Sequence, residues 1–304
     1  MHEIRVTGPR GHAREVAAAA LAGGIERVTV SEVRLHAAEG ERDGEMVSAE
    51  CPTPQARRFL ENLFAAEWFD AVTFSVSTRE LRGIASATPV REATRPMPEP
   101  ALDVLQDLWQ LSHTTASYLG RAAAGGLLLA DGMYRNNPVS IVVAALFLPY
   151  LSQVLAVSLG LWAREARLAA QGAKALAAST LVSVACGALM ACFEDAPMAF
   201  ADFRPLLPSL LFSLVVGLTA GLCSADDTGR RYLIGVAAAV QCGVFPVWAG
   251  ACLVDGFPSA QLAMTRIGTF AGNLALLGVG ALISYAVAGL GSCQARALHR
   301  KMHR

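Results

Sequence analysis

No Cys-x-x-Cys pair occurs among the seven cysteines of the chain (51, 186, 192, 223, 242, 252 and 293). Most of them lie inside apolar runs, where cysteine acts as a small hydrophobe. With that spacing neither a disulfide framework nor a zinc site is expected. His2, His12 and His36 fall on separate elements without ligand spacing, so no metal and no cofactor is expected. A nucleophile–base pair, a phosphate loop and a zinc-hydrolase motif are all absent, and no catalytic residue is assigned. Net charge is also missing: 25 basic side chains balance 25 acidic ones, so no nucleic-acid partner is expected through counterion release. The opening M-H-E-I-R-V-T-G-P-R has no apolar core of the kind a signal peptide needs, and the N-terminal part is expected to stay in the cytoplasm.

The longest absence organises the rest. No charged residue stands between Arg135 and Arg164. An apolar run of that length is a membrane span, because a bilayer core of roughly 30 Å needs about 20 helical residues. Charge is otherwise unevenly spread. Before His113 there are 12 basic and 17 acidic side chains; after it, over a longer stretch, 13 basic and 8 acidic. The pattern predicts a soluble domain followed by a membrane domain.

Residues 1–84 read as an α+β module. Glu3–Thr7 alternates as a strand, Gly8-Pro9 breaks it, and Val16, Ala17, Ala20 and Leu21 mark one helical face that stops at Gly23-Gly24. Val28, Val30, Val33 and Leu35 make a second strand, with a slip near Ser31-Glu32 that predicts a bulge. Glu39–Gly44 reads as a hairpin loop, and Val47, Ala49 and Cys51 alternate on the return strand. Thr53 as N-cap and Pro54 at the first position open a second helix, with Phe59, Leu60, Leu63 and Phe64 as its buried stripe. A last strand is expected over Val72, Phe74 and Val76. The order is β-α-β-β-α-β, a ferredoxin-like unit expected to regulate or assemble the whole.

Residues 85–100 carry four prolines and predict a semi-rigid linker. Leu102, Leu105, Leu108 and Trp109 follow at helical spacing. They form either an amphipathic lead-in helix at headgroup level or the first turns of the next span. The transmembrane domain is read over 101–292, with six spans near 113–130, 138–162, 175–193, 206–224, 232–254 and 267–290. A basic cytoplasmic tail, 293–304, follows. With the N-terminus inside, nine basic residues fall in the cytoplasm and only Arg135, Arg204 and Arg266 outside. The chain is therefore expected in a bacterial cytoplasmic (inner) membrane, with both termini cytoplasmic and the lipid bilayer as its first partner.

Several pieces recur in a recognisable order. They are Asn136-Asn-Pro-Val139, a central Pro149, Arg204-Pro205 before Leu214–Gly221, Gly235–Val240 before Val244-Phe245-Pro246, and Asn273 in the last span. This order resembles, over roughly 70–290, a prokaryotic integral membrane protein family known only as a conserved hydrophobic domain of unknown function. The chain departs from that family's pattern at Val143, Ala145, Ser152 and Gln153, and it carries Phe245-Pro246 where the family prefers a proline pair. The resemblance implies a divergent member and no particular activity.

Few residues carry chemistry. Arg121, inside the first span, either snorkels or meets an anion. Pro149 and Pro246 each sit mid-span in the second helix of a set of three, and A-L-F-L-P echoed by C-G-V-F-P hints at an inverted repeat, although Gln153 and Gln241 occupy different places in it. Gln153, Gln241 and Asn273 need partners in the bilayer and either line a polar path or staple helices together. Gly217 and Gly221 form a close-packing motif, within the chain or between subunits of a homo-oligomer. His299 and His303 belong to a basic tail suited to anionic lipid, and Asp226-Asp227 to a solvated turn. The preferred reading is a channel or secondary transporter for a small solute or ion, controlled by the cytoplasmic module. The alternative is a membrane-anchored sensor or oligomeric scaffold; an intramembrane lipid enzyme is the weakest reading.

Overall fold

A computed structural model describes residues 2–37, 40–70, 72–80, 101–194, 198–200, 203, 205–225 and 234–288. The proline-rich linker, Arg204, Asp226-Asp227, Arg230, Arg231 and the tail with His299 and His303 lie outside the described residues. The chain divides into two compact units, one holding residues 1–104 and the other Leu105–Ser224 with Gly229–Ala288.

The first unit is a four-stranded antiparallel sheet with two helices. Its elements are β1 (His2–Pro9), α1 (Ala13–Ala22), β2 (Thr29–Ala37), β3 (Gly40–Cys51), α2 (Thr53–Ala65) and β4 (Ser75–Glu80), in the sheet order β2-β3-β1-β4. Alternation in β1 buries Ile4 and Val6, which meet Val47, Ala49, Phe59 and Leu63 in one apolar core. Burial pushes the Cys51 thiol up to about 12, so it packs as a hydrophobe.

Four local expectations fail for identifiable reasons. β2 pairs with β3 in one unbroken register from Thr29↔Ser48 to Ala37↔Gly40, so there is no bulge. The polar run 40–44 belongs to the strand, because its charges are matched across the ladder: His36 lies 3.2 Å from Glu41, and Arg34 lies 3.5 Å from Asp43. Val72 sits in a turn tied by Asp70 Oδ1, which accepts from the Val72 N–H, so β4 starts only at Ser75. Thr53 itself starts α2, with Pro52 as its cap, a shift of one position.

Helix α3 (Ala101–Leu111) begins within the first unit, where Asp103 accepts from the Thr78 hydroxyl. The second unit is all helical: α4 (Ala116–Tyr134), α5 (Pro138–Ala145), α6 (Tyr150–Ala163), α7 (Ala166–Ala191), α8 (Leu206–Ser224), α9 (Ile234–Asp255) and α10 (Ala260–Val287). Among the described residues four helices, α7 to α10, are long and apolar enough to cross a membrane, and α9 is the most enclosed. The expected span 138–162 is instead the pair α5–α6, bent by 43° across a short break, a fifth candidate crossing. Helix α4 occupies the place of the expected first span but falls outside that apolar group; it carries Arg121 and Asp131. These helices are compatible with an integral membrane protein.

Helix directions follow from the contacts. Ser209 opposes Asn273, Gly217 opposes Leu277, Gly221 opposes Ala281 and Ser224 opposes Tyr285, so α8 and α10 run parallel. Tyr118 bonds Ala175 and Gly126 abuts Cys186, so α4 and α7 run parallel too. The far ends of α4, α7 and α9 gather together: Arg135 reaches Asp131 and Glu194, and the Tyr134 hydroxyl donates to Asp255 at 3.1 Å.

Candidate functional site

Gln153 on one side, and Gln241 with Asn273 on the other, centre two polar clusters of opposite character among these helices. In the first, the Gln153 amide of α6 donates to the Tyr118 hydroxyl of α4 and accepts from Ser179 of α7 at 3.0 Å. Tyr118 donates onward to the Ala175 carbonyl, and Tyr150 donates to Ser183 Oγ at 3.1 Å. Every one of these side chains is buried. Among apolar helices such a closed network is a staple, because an amide left alone in hydrocarbon has no water to turn to.

The second cluster faces open space. A cavity of about 790 Å³ lies between α5, α8, α9 and α10. Gln241 of α9 donates to Ser209 Oγ of α8 at 2.5 Å, and Asn273 of α10 donates to the same hydroxyl at 3.1 Å. Phe245 and Phe270 stack at 5.0 Å to make an apolar wall. Volume, apolar lining and a few convergent polar groups are the features of a small-molecule site.

Arg266 of α10 lines this cavity as well. Its guanidinium carbon lies 3.6 Å from the ring centre of Phe203 and 4.1 Å from that of Trp248, so two aromatic rings receive its charge. Nε and Nη1 are shielded from solvent and find no hydrogen-bond partner among the described residues.

The expected site residues therefore separate. Gln241 and Asn273 come together in the cavity. Gln153 lies outside it, fully buried with its amide bonded to Tyr118 and Ser179. Arg121 stands on the exposed face of α4, away from the cavity, as a snorkelling side chain would. Pro149 is no mid-helix kink: it caps α6, and its carbonyl accepts from the Ser152 hydroxyl at 2.9 Å. Pro246 is carried inside α9, which continues for nine residues beyond it. Gly217 and Gly221 face α10 of the same chain, where a side-chain carbon at Gly217 would overlap the Leu277 carbonyl.

Arg266, expected outside the membrane, instead stands within α10 and lines the cavity. The signal was present: Arg266, Thr269, Phe270 and Asn273 stand at i, i+3, i+4 and i+7, one face of one helix. The helix simply starts earlier than the charge-free window, at Ala260, where Ser259 Oγ accepts from the Leu262 N–H.

The chain matches no protein-family model, no curated protein and no solved structure.

Proposed function

We propose that the chain is a channel or secondary transporter for a small solute or ion, with its path through the cavity between α5, α8, α9 and α10. The observation that carries this reading is the convergence of Gln241, Asn273 and Arg266 on about 790 Å³ of open space within the helices. An anchor has no use for such a space, whereas a charged side chain kept among apolar helices is costly and marks a pathway or a site. The broken pair α5–α6 contributes Pro138, Ile141 and Val142 to the same wall, and interrupted helices are how transporters build sites within the bilayer.

In this reading α4 and the pair α5–α6 join the four apolar helices as six crossings of a bacterial inner membrane, with both termini cytoplasmic. The first unit is a ferredoxin-like regulatory or assembly module; its strand order and the placing of α1 and α2 between strands support that. The order Asn136-Asn-Pro-Val, Pro149, Phe245-Pro246 and Asn273 supports membership of the hydrophobic family of unknown function. A homo-oligomer is the expected assembly, and no catalytic step is assigned.

The test is uptake by proteoliposomes of the purified chain, followed by stopped-flow light scattering over a panel of small neutral, cationic and anionic solutes. At least one class enters faster than into empty vesicles, and Gln241→Leu or Asn273→Leu slows it at least tenfold. Permeation equal to that of empty vesicles for every class contradicts the proposal.

A further inference from the structure

We infer that this cavity binds an amphipathic oxyanion, a carboxylate or phosphate head on an apolar body, and that Arg266 holds the head. The inference rests on the reading that solutes reach the cavity, and it adds their chemical class.

Arg266 is the sole ionisable side chain among the described residues that line the cavity, and none of those residues is acidic. The rings of Phe203 and Trp248 meet at 72°, with the guanidinium in the corner between them. Aromatic faces stabilise the charge, yet they leave the in-plane N–H rim without a strong acceptor. Nε and Nη1 remain shielded from water, with no hydrogen-bond partner among the described residues. The two nitrogens belong to different edges of the guanidinium, each completed by Nη2, and either edge can receive the two oxygens of a carboxylate or phosphate.

The other walls define the rest of the ligand. Asn273 stands two helical turns along α10 from Arg266, about 10 Å at the usual rise, so the polar groups occupy separate levels. Between them lies Phe270, on which Phe245 stacks, and Phe212 of α8 adds to the apolar lining. A cation would meet like charge, with no carboxylate among the described lining residues to offset it. A neutral polar solute would leave the guanidinium rim unmet, and a small hydrated anion would leave the aromatic wall unused.

The experiment uses the full chain in vesicles, with native cysteines replaced and Thr269→Cys introduced in the cavity wall between Arg266 and Asn273. Labelling rates are measured for anionic, cationic and neutral methanethiosulfonate reagents, each relative to a free thiol in solution. The anionic reagent is expected to react on the order of tenfold faster than the cationic one, as a field focused in a low-dielectric cleft produces. Arg266→Gln removes the preference and Arg266→Lys retains it. Slower labelling in phenylacetate, but not in phenylacetamide, identifies a water-borne ligand. Slower labelling only when phosphatidylglycerol replaces phosphatidylcholine identifies a lipid headgroup. No preference of sign, a preference that survives Arg266→Gln, or equal protection by phenylacetamide overturns the inference while leaving the path intact. Failure of all three reagents, the neutral one included, overturns the path and the inference together.

Discussion

Asn136, Asn137 and Pro138 divide the start of the broken span among three side chains. Asn136 takes the left-handed conformation at φ 47°, which asparagine tolerates better than most residues. Asn137 caps α5, its side-chain oxygen accepting from the Val139 N–H at 3.0 Å, and Pro138 fills a first-turn position where no N–H is needed. Glu45 does comparable work in the sheet unit. From β3 it accepts the backbone N–H groups of Ala13 at 2.8 Å and Gly11 at 3.0 Å, so it caps α1 from another element. Those two bonds, first Ala13 and then Gly11, hold its carboxyl below the ordinary value of 4.5. A depressed carboxylate stabilises the fold above that ordinary value and loses its contribution as the pH falls through the lower, folded one. Glu45→Gln in the full chain is therefore expected to raise hydrogen exchange in the first turn of α1 at neutral pH. The difference from the parent should shrink in acid; equal protection at neutral pH would show that the cap does nothing. Neither asparagine's role nor the Glu45 cap was legible in full. Asn-Asn-Pro is a local turn signal, whereas Glu45 acts across 32 residues of chain that no local pattern spans.

At the scale of elements, small residues decide which helices touch. Gly217 and Gly221 on α8 and Gly280 on α10 let those backbones meet, with the Ser284 hydroxyl donating to the Leu218 carbonyl at 2.6 Å. Gly187 and Gly250 do the same for α7 and α9, where added side-chain carbons would overlap the Val247 and Val184 carbonyls. Gly217→Val has nowhere to put its side chain without parting α8 from α10. The expected cost is about 1–3 kcal/mol, read as a lower unfolding midpoint in detergent. An unchanged midpoint would mean that the two helices do not pack through that face. The glycine spacing was legible, and so was the buried stripe of α2; in α1 Val16 and Ala20 are buried as expected, but Leu21 is exposed and Ala13 takes its place. The partner helix was not, because a glycine motif states how close two helices come and is silent on which two. Likewise, the charge-free run 136–163 announced a span but hid its break. Leu148, buried at that break, lies against Gly125 of α4 and Gly243 of α9, and only the assembled packing makes room for it.

Across the whole helical unit the two polar clusters repeat one plan. Each joins a hydroxyl near the start of one helix (Tyr118, Ser209), an amide from the next span (Gln153, Gln241) and a polar residue at the middle of the third (Ser179, Asn273). Measured from Pro149 and Pro246 the two glutamines fall out of step, so the sequence echo conceals an equivalence that the hydrogen bonds reveal. The sets run in opposite directions, since α4 and α7 end where α9 ends, and α10 begins from that same end. One set is closed and holds the helices; the other is open and holds the cavity. This opposition requires the ends of α7 and α8 to lie on opposite faces of the membrane. Cys192, exposed just beyond α7, reports one face, and Cys223, near the end of α8, reports the other. The deciding measurement is labelling of single-cysteine versions of the full chain in intact cells with a membrane-impermeant maleimide. The account predicts that the Cys192 version is labelled from outside and the Cys223 version only after the membrane is opened. Labelling of both from the same side would contradict the opposed sets, and with them the cavity as a path across the bilayer.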